Sequence, residues 1–119
     1  MKVSIPCMGD RGKDEKVSSH FGRAPAFVVY DDETDEMKTV SNTSEHMGGS
    51  GKPPELMAKE GVDVMLAGNL GRRAVDMFDR IGIKVYCGAS GTVGDAIEQW
   101  KNGELEEASK AEACDHGHH

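Results

Sequence analysis

The stretch Val62-Asp63-Val64-Met65-Leu66-Ala67 is a short run of mainly apolar, β-prone residues, and Gly68-Asn69-Leu70-Gly71 follows it directly. An apolar run of this length that ends in glycine predicts a buried strand followed by a turn. Beyond the turn, Arg72–Arg80 predicts a helix because its apolar residues fall at helical spacing. A buried strand that leads straight into a helix is the building unit of an α/β domain.

The chain on either side of this unit predicts four more strands and two more helices. On the C-terminal side, Ile83–Cys87 predicts the fifth strand, and Ser90 or Thr92 can cap a helix that ends at Asn102-Gly103. On the N-terminal side, the predicted elements are three strands and one helix: Lys2–Pro6, Ala26–Tyr30, Glu36–Ser41 and Pro54–Glu60.

The connections between these elements predict how the strands are ordered. The acidic turn Asp31–Asp35 makes a hairpin of the second and third strands. Right-handed crossovers make the first, fourth and fifth strands parallel neighbours. The sequence therefore predicts a single α/β domain with a mixed five-stranded sheet in the order 3-2-1-4-5, in which strand 2 is antiparallel, together with three helices.

Composition and charge limit the classes of function. The chain has 119 residues with 21 acidic and 14 basic side chains, a net charge of −7, which argues against nucleic-acid binding. No apolar run approaches the roughly 20 residues that a bilayer-spanning helix needs, and the first residues lack the pattern of a signal peptide. We expect a cytoplasmic monomer with no membrane partner, in which the three cysteines are thiols or metal ligands rather than disulfides.

The chain changes character near its C-terminus. We expect a domain over residues 1–105 and an acidic, flexible tail over residues 106–119. The tail places one thiol and three imidazoles within its last six residues: Cys114, His116, His118 and His119. These donors could bind Zn, Ni or Fe without a folded site, although a remnant of a purification tag is the alternative.

The predicted topology brings several unusual loops to one edge of the sheet. The strands that precede Met8, Gly68 and Gly88 all end there, and ligands of open α/β sheets bind at such carboxyl edges. Cys7 and Cys87 end two of these strands, with one strand between them. That separation, roughly 9–10 Å, is too large for a disulfide between the two but leaves room for a cluster.

A family pattern runs through the chain from about Lys2 to Leu105. Its pieces are Val17-Ser18-Ser19-His20-Phe21-Gly22-Arg23-Ala24, Gly61–Val64 leading into Ala67–Gly71, Gly82–Tyr86, Thr92-Val93, and Asn102–Leu105. In their order and spacing these pieces resemble the dinitrogenase iron–molybdenum cofactor-binding family, small accessory proteins that hold nitrogenase cofactor or its precursor. The resemblance implies a ribonuclease-H-like fold.

The resemblance also implies a cargo, an iron–sulfur-type cluster such as the iron–molybdenum cofactor or a precursor, with a cluster donor or acceptor protein as a possible partner. His20 is the expected cluster ligand or hydrogen-bond donor; a loop histidine that caps backbone groups is the alternative. The helix start after strand 4 suits an anion because of its free N–H groups. The full set of candidate cofactor-binding residues is His20, Phe21, Gly22, Arg23, Cys7, His46, Gly68, Asn69, Gly71, Arg72 and Cys87.

We consider three classes of function for this sequence. The first is a non-catalytic carrier of a metallocluster. The second is an enzyme, which the sequence disfavours because Ser4 and Ile5 stand where a nuclease of this fold would need an acid, and because no nucleophile-elbow motif is present. The third is a divalent-metal buffer that acts only through the C-terminal tail.

Overall fold

Six strands form one mixed sheet in the order β3-β2-β1-β4-β5-β6 in the computed structural model, which describes residues 1–18, 24–41, 57–68 and 70–108. Strands β1 and β4, and β4 and β5, pair in parallel, whereas β2 is antiparallel to both β1 and β3. The predicted order of the first five strands and the antiparallel β2 are therefore confirmed. The strand bounds are Lys2–Cys7, Ala26–Asp31, Glu36–Ser41, Val64–Ala67, Lys84–Cys87 and Glu106–Ala108.

The helices fall where periodicity places them. The helical residues 57–59 (α1) lie within the predicted first helix. The second helix, α2, is Arg72–Arg80, and the third, α3, is Val93–Lys101; a short 3₁₀ helix covers Gly12–Asp14. Thr92 caps α3 by accepting from the Asp95 N–H, while the Asp95 carboxylate accepts from the Thr92 N–H. This capping box fixes where α3 begins.

The sheet separates two apolar layers. On one face, residues of α1 and α2 pack on alternate strand residues; this cluster includes Met57, Val75, Phe78, Phe27 and Met65. On the other face, α3 covers the remaining strand residues in a cluster that includes Val93, Ile97, Ile5, Val28 and Leu66. We refer to these as the α2 face and the α3 face of the sheet.

A sixth strand, β6, corrects the prediction of five. Glu106–Ala108 pairs antiparallel with β5, so the sheet extends three residues past the expected boundary at Leu105. The expectation of a flexible tail is wrong for these three residues, which form a strand. Their side chains carry no strand pattern, but an edge strand needs only backbone hydrogen bonds to its neighbour.

The end of α3 is tied to the β2–β3 hairpin through a buried tyrosine. The Tyr30 hydroxyl donates to an Asp35 carboxylate oxygen at 2.7 Å and accepts from Lys101 Nζ at 2.9 Å. The hydrogen bond from Tyr30 lowers the pKa of Asp35, and the bond to the Tyr30 hydroxyl raises the pKa of Lys101.

Within the described residues, no helix is both long and apolar enough to span a lipid bilayer.

Candidate functional site

The predicted edge of the sheet exists and lies at the switch in strand order. Strands β1, β3, β4 and β5 end at this edge, and β2 and β6 begin there, as their pairing directions require. The chain leaves β1 toward β2 on one side, while β4 lies on the other side. Crevices at such switch points are where open α/β sheets bind ligands. We refer to this end of the sheet as the carboxyl edge.

A short connector, residues 16–18, lies beside the end of β1 on the side of β4. Strands β1 and β4 pair at two positions, Val3 with Val64 and Ser4 with Met65. Farther along, the end of β1 pairs with residues 16–18: Met8 N donates to Lys16 O at 3.0 Å, and Ser18 N donates to Pro6 O at 2.8 Å. On its other side this connector meets the start of α3, where Val17 N donates to Gly91 O at 3.0 Å.

The described residues on either side of positions 19–23, which belong to the family motif, lie at this edge. Both of them, Ser18 and Ala24, are buried. Ser18 bonds to Pro6 at the end of β1, and Ala24 lies two residues before Ala26, which pairs with Cys7. The two residues that flank positions 19–23 therefore lie beside the end of β1, at the carboxyl edge.

Ten of the predicted site residues lie outside the described residues: His20, Phe21, Gly22, Arg23, His46, Asn69, Cys114, His116, His118 and His119. Their assignment as cofactor or metal ligands stays a prediction. The described members of the predicted set are Cys7, Gly68, Gly71, Arg72 and Cys87.

Cys7 lies at the carboxyl edge but points into the protein. It is a free thiol with no exposed surface, and it packs in the apolar cluster of the α3 face. Its Sγ donates to the Gly9 carbonyl at 3.1 Å. Burial raises the pKa of the Cys7 thiol, so the neutral form is favoured at pH 7. In this conformation the Cys7 thiol does not reach the surface of the carboxyl edge.

Cys87 lies on the opposite face of the sheet from Cys7. It pairs with Ala67, which belongs to the α2-face cluster, and side chains of paired residues share a face. Cys87 is also disulfide-bonded, so the expectation that the cysteines are thiols or metal ligands is wrong for it in this structure. That expectation rested on a reducing cellular compartment. The compartment does not determine which sulfur atoms the fold brings within bonding distance. The structure places both cysteines at the carboxyl edge but does not bring their sulfurs together.

The start of α2 has the features of an anion-binding helix end. Gly71 is the N-cap and supplies no side-chain hydrogen bond, and the first turn contains no acidic residue. Arg72 and Arg73, its first two residues, are exposed, and neither forms an ion pair within the part of the chain that the structure describes. Two cations thus stand at the positive end of the helix dipole, an arrangement that costs stability unless an anion is present.

Gly68 keeps the turn before α2 close to the neighbouring loop. A Cβ at this position would lie 3.0 Å from the carbonyl oxygen of Ala89. The Ala89 N–H in turn donates to Ala67 O at 3.1 Å. Glycine at position 68 therefore lets the loops after β4 and β5 lie against each other at the carboxyl edge.

Glu15 is a buried residue of this region that the sequence did not single out. It is 4% exposed, and its carboxylate accepts from the Lys16 N–H at 2.9 Å and from the Arg11 Nε at 3.4 Å. Its backbone carbonyl accepts from Val93 N, the first N–H of α3. Glu15 thus ties the loop after β1 to the connector and to α3. The charge-rich stretch around it looks solvated in sequence, and no pattern there marks one acid as buried.

Acid should weaken the fold through Glu15. The hydrogen bond from the Lys16 N–H lowers the pKa of Glu15, and Arg11 acts in the same direction. Because the folded pKa is below the unfolded value, the stabilisation is present above the unfolded pKa and is lost as the pH falls through the folded one. We expect Glu15→Gln to lower the urea midpoint of unfolding at pH 7, with the difference from wild type closing below about pH 4. Glu98→Gln, at an exposed position of α3, is the control; an equal loss in both variants, or a constant loss down to pH 3, would contradict this role.

The opposite edge of the sheet has a different chemistry. A pocket of about 300 Å³ is lined there by Lys2, Val29, Asp31, Glu36, Met37 and Lys38. Lys38 forms an ion pair with Glu60 at 2.6 Å, and the Asp31 carboxylate accepts from the Glu33 N–H. The carboxylates of the half-buried Asp31 and the exposed Asp32 and Glu33 lie within 4.8 Å of one another, and the N-terminal ammonium bonds to the latter two. These are hard oxygen donors and local ion pairs, unlike the groups at the carboxyl edge.

These features of the fold and the carboxyl edge agree with a protein of the dinitrogenase iron-molybdenum cofactor family. The chain belongs to this family, which it matches over residues 1–103. In sequence it is similar to the protein MJ0580 of Methanocaldococcus jannaschii, with 31% identity over 111 residues that cover 89% of this chain and 90% of that protein.

Solved structures agree with the family assignment. The chain is similar to the apo form of the orange protein from Desulfovibrio gigas, with a TM-score of 0.77, 29% identity and coverage of 90% of this chain and 92% of that one. It is similar to PH0822, with a TM-score of 0.76, 34% identity and coverage of 89% and 95%. The chain is also similar to a Thermotoga protein described as "a putative NifB protein" of the DUF35 family, with a TM-score of 0.73, 34% identity and coverage of 89% and 91%.

Proposed function

We propose that this protein is a non-catalytic carrier that holds an iron–sulfur-type metallocluster, the iron–molybdenum cofactor or a precursor, during cofactor assembly. The observation that carries the proposal is the start of α2, where two exposed arginines and uncapped N–H groups lie at the same edge as the residues that flank positions 19–23. The family and the relatives described as orange protein and "a putative NifB protein" support a cofactor-linked role.

Charge supports an anionic cargo. The chain carries a net charge of −7, yet the first turn of α2 is cationic. Iron–sulfur-type clusters are commonly anionic, and free N–H groups with nearby guanidinium groups are the usual means of holding an anion. A long-range repulsion from the acidic surface would oppose binding, so the local cations must supply the attraction.

The surroundings of the sulfurs support reversible holding. Protein-bound clusters commonly have four cysteine ligands. At the carboxyl edge, Cys7 is buried and Cys87 points to the other face. We therefore expect the aerobically purified protein to be colourless and poor in metal, since its hold on a cluster would rest on charge, imidazole and weak contacts. A carrier must release what it holds, so weak binding suits the role.

Anaerobic reconstitution tests the proposal. Ferrous iron and sulfide are equilibrated with the protein across a dialysis membrane, and the protein compartment is compared with the protein-free one by visible absorption and by iron and sulfide analysis. We expect an excess of iron and sulfide, in equal amounts, in the protein compartment. If neither is in excess there, the carrier function is wrong.

A deletion separates the carrier from the metal-buffer alternative. Removing residues 113–119 takes away Cys114 and the three histidines of the tail. A carrier that uses the carboxyl edge keeps its cluster after this deletion, whereas a buffer that acts through the tail loses all bound metal. The same samples titrated with Zn²⁺ report on the tail independently of the cluster.

A further inference from the structure

The chain that leaves β1 presents a thioether, rather than a thiol, at the carboxyl edge. Met8 is 53% exposed, although the residue before it, Cys7, has no exposed surface. The backbone of Met8 still belongs to the ladder with the connector, because its N–H donates to Lys16 O at 3.0 Å. The side chain of Met8 is therefore exposed even though its backbone is held by a hydrogen bond to the connector.

Met8 lies at the same edge of the sheet as the start of α2. The chain bends at Met8, directly after the end of β1. Arg72 and Arg73 begin α2, the element that follows β4, and β4 is the strand next to β1. Met8 and the cations of α2 thus follow neighbouring strands at the carboxyl edge.

A thioether differs chemically from the other groups at this edge. Methionine sulfur is a soft, uncharged donor, and soft sulfur ligands favour iron–sulfur clusters and soft metals over hard oxygen-rich ions. Arginines and N–H groups attract any anion and cannot make this distinction. We propose that Met8 is a specificity-determining residue: its Sδ contacts the metallocluster and favours sulfide-bearing clusters over oxyanions of similar charge. This inference rests on the proposed carrier function.

The test compares two methionine variants of the full chain with an iron–sulfide cluster as the probe. Met8→Leu keeps the apolar bulk and removes the sulfur, and Met37→Leu makes the same change at a partly buried methionine of β3. We expect Met8→Leu to raise the Kd of the cluster roughly tenfold, as loss of one modest contact would do, and Met37→Leu to leave it unchanged. Sulfate, the oxyanion probe, should compete for the wild type and for Met8→Leu with the same affinity.

A spectroscopic measurement on the wild type checks the contact directly. The chain has seven methionines, and the ¹³C-labelled methyl signal of Met8 is assigned as the one that is missing in Met8→Leu. On addition of the cluster, this signal should shift or broaden before those of the other methionines.

The outcomes separate the two proposals. If the wild type takes up no cluster, the carrier function fails and this inference fails with it. If the wild type takes up cluster and Met8→Leu matches it, only the role of Met8 is overturned. If Met8→Leu matches the wild type while Met8→Ala binds more weakly, Met8 supplies apolar contact, and the thioether assignment is wrong.

Discussion

Reversing the charges at the start of α2 is expected to weaken cluster binding and to stabilise the unloaded protein. Arg72→Glu should raise the Kd of an anionic cluster about 30-fold at low salt, because a charge-assisted contact is replaced by repulsion. The same change places an acid at the positive end of the helix dipole, which should increase the free energy of unfolding by about 0.5 kcal/mol. A variant that simply damages the fold would also raise the Kd, but it would lower the free energy of unfolding.

Salt and a matched variant make this test specific. Exposed charges are screened over about 8 Å at physiological ionic strength, so added salt should narrow the gap between wild type and Arg72→Glu. Arg80→Glu changes the net charge equally at the other end of α2, where Arg80 pairs with Asp76. It should lower stability and leave the cluster affinity nearly unchanged. Identical affinities of wild type and Arg72→Glu at low salt would mean that the turn serves only the fold.

Replacing the motif histidine should also have a large effect on binding. We expect His20→Ala to weaken cluster binding roughly 10- to 100-fold, the range found when groups that support a metal site are removed. His46→Ala, in another loop predicted at the carboxyl edge, should weaken it less. The measurement is a titration of each variant with the same cluster under anaerobic conditions.

Stability measurements keep this second prediction interpretable. A loop histidine that makes few core contacts should change the free energy of unfolding by no more than about 0.5 kcal/mol when truncated. Equal cluster affinity in wild type and His20→Ala would remove His20 from the site. A large loss of stability would instead support the alternative in which the histidine caps backbone groups of its loop.

Periodicity and chain connection predicted most of the fold. The run 62–67 and the helix Arg72–Arg80 gave the parallel core, and the acidic turn after β2 gave the antiparallel hairpin. The strand β6 was missed because Glu106–Ala108 is short and acidic, and it pairs with β5 through its backbone at the edge of the sheet. Backbone pairing at an edge leaves no requirement on side chains, so nothing in that stretch could have shown it.

The sequence predicted the edge of the sheet at which the candidate residues lie, but not the directions of their side chains. Strand order brought Cys7, Gly68 and Cys87 to one edge, as expected. The face that each sulfur occupies depends on the register of two separate strands, which a list of strands does not determine. The roles of Glu15 and of the connector depend on how a polar loop folds back onto β1, where no periodic pattern exists.

The states of Cys7 and Cys87 bear on how long a cluster could stay bound. Two thiolates on one face would act as a chelate, since the first bond would hold the second donor at high effective concentration beside the metal. Here Cys7 is buried, and Cys87 is disulfide-bonded on the other face, so the pair supplies no such chelate. The expected consequence is fast dissociation of a cluster held at this edge. For a carrier of the kind proposed, rapid release is then obtained without any change of fold.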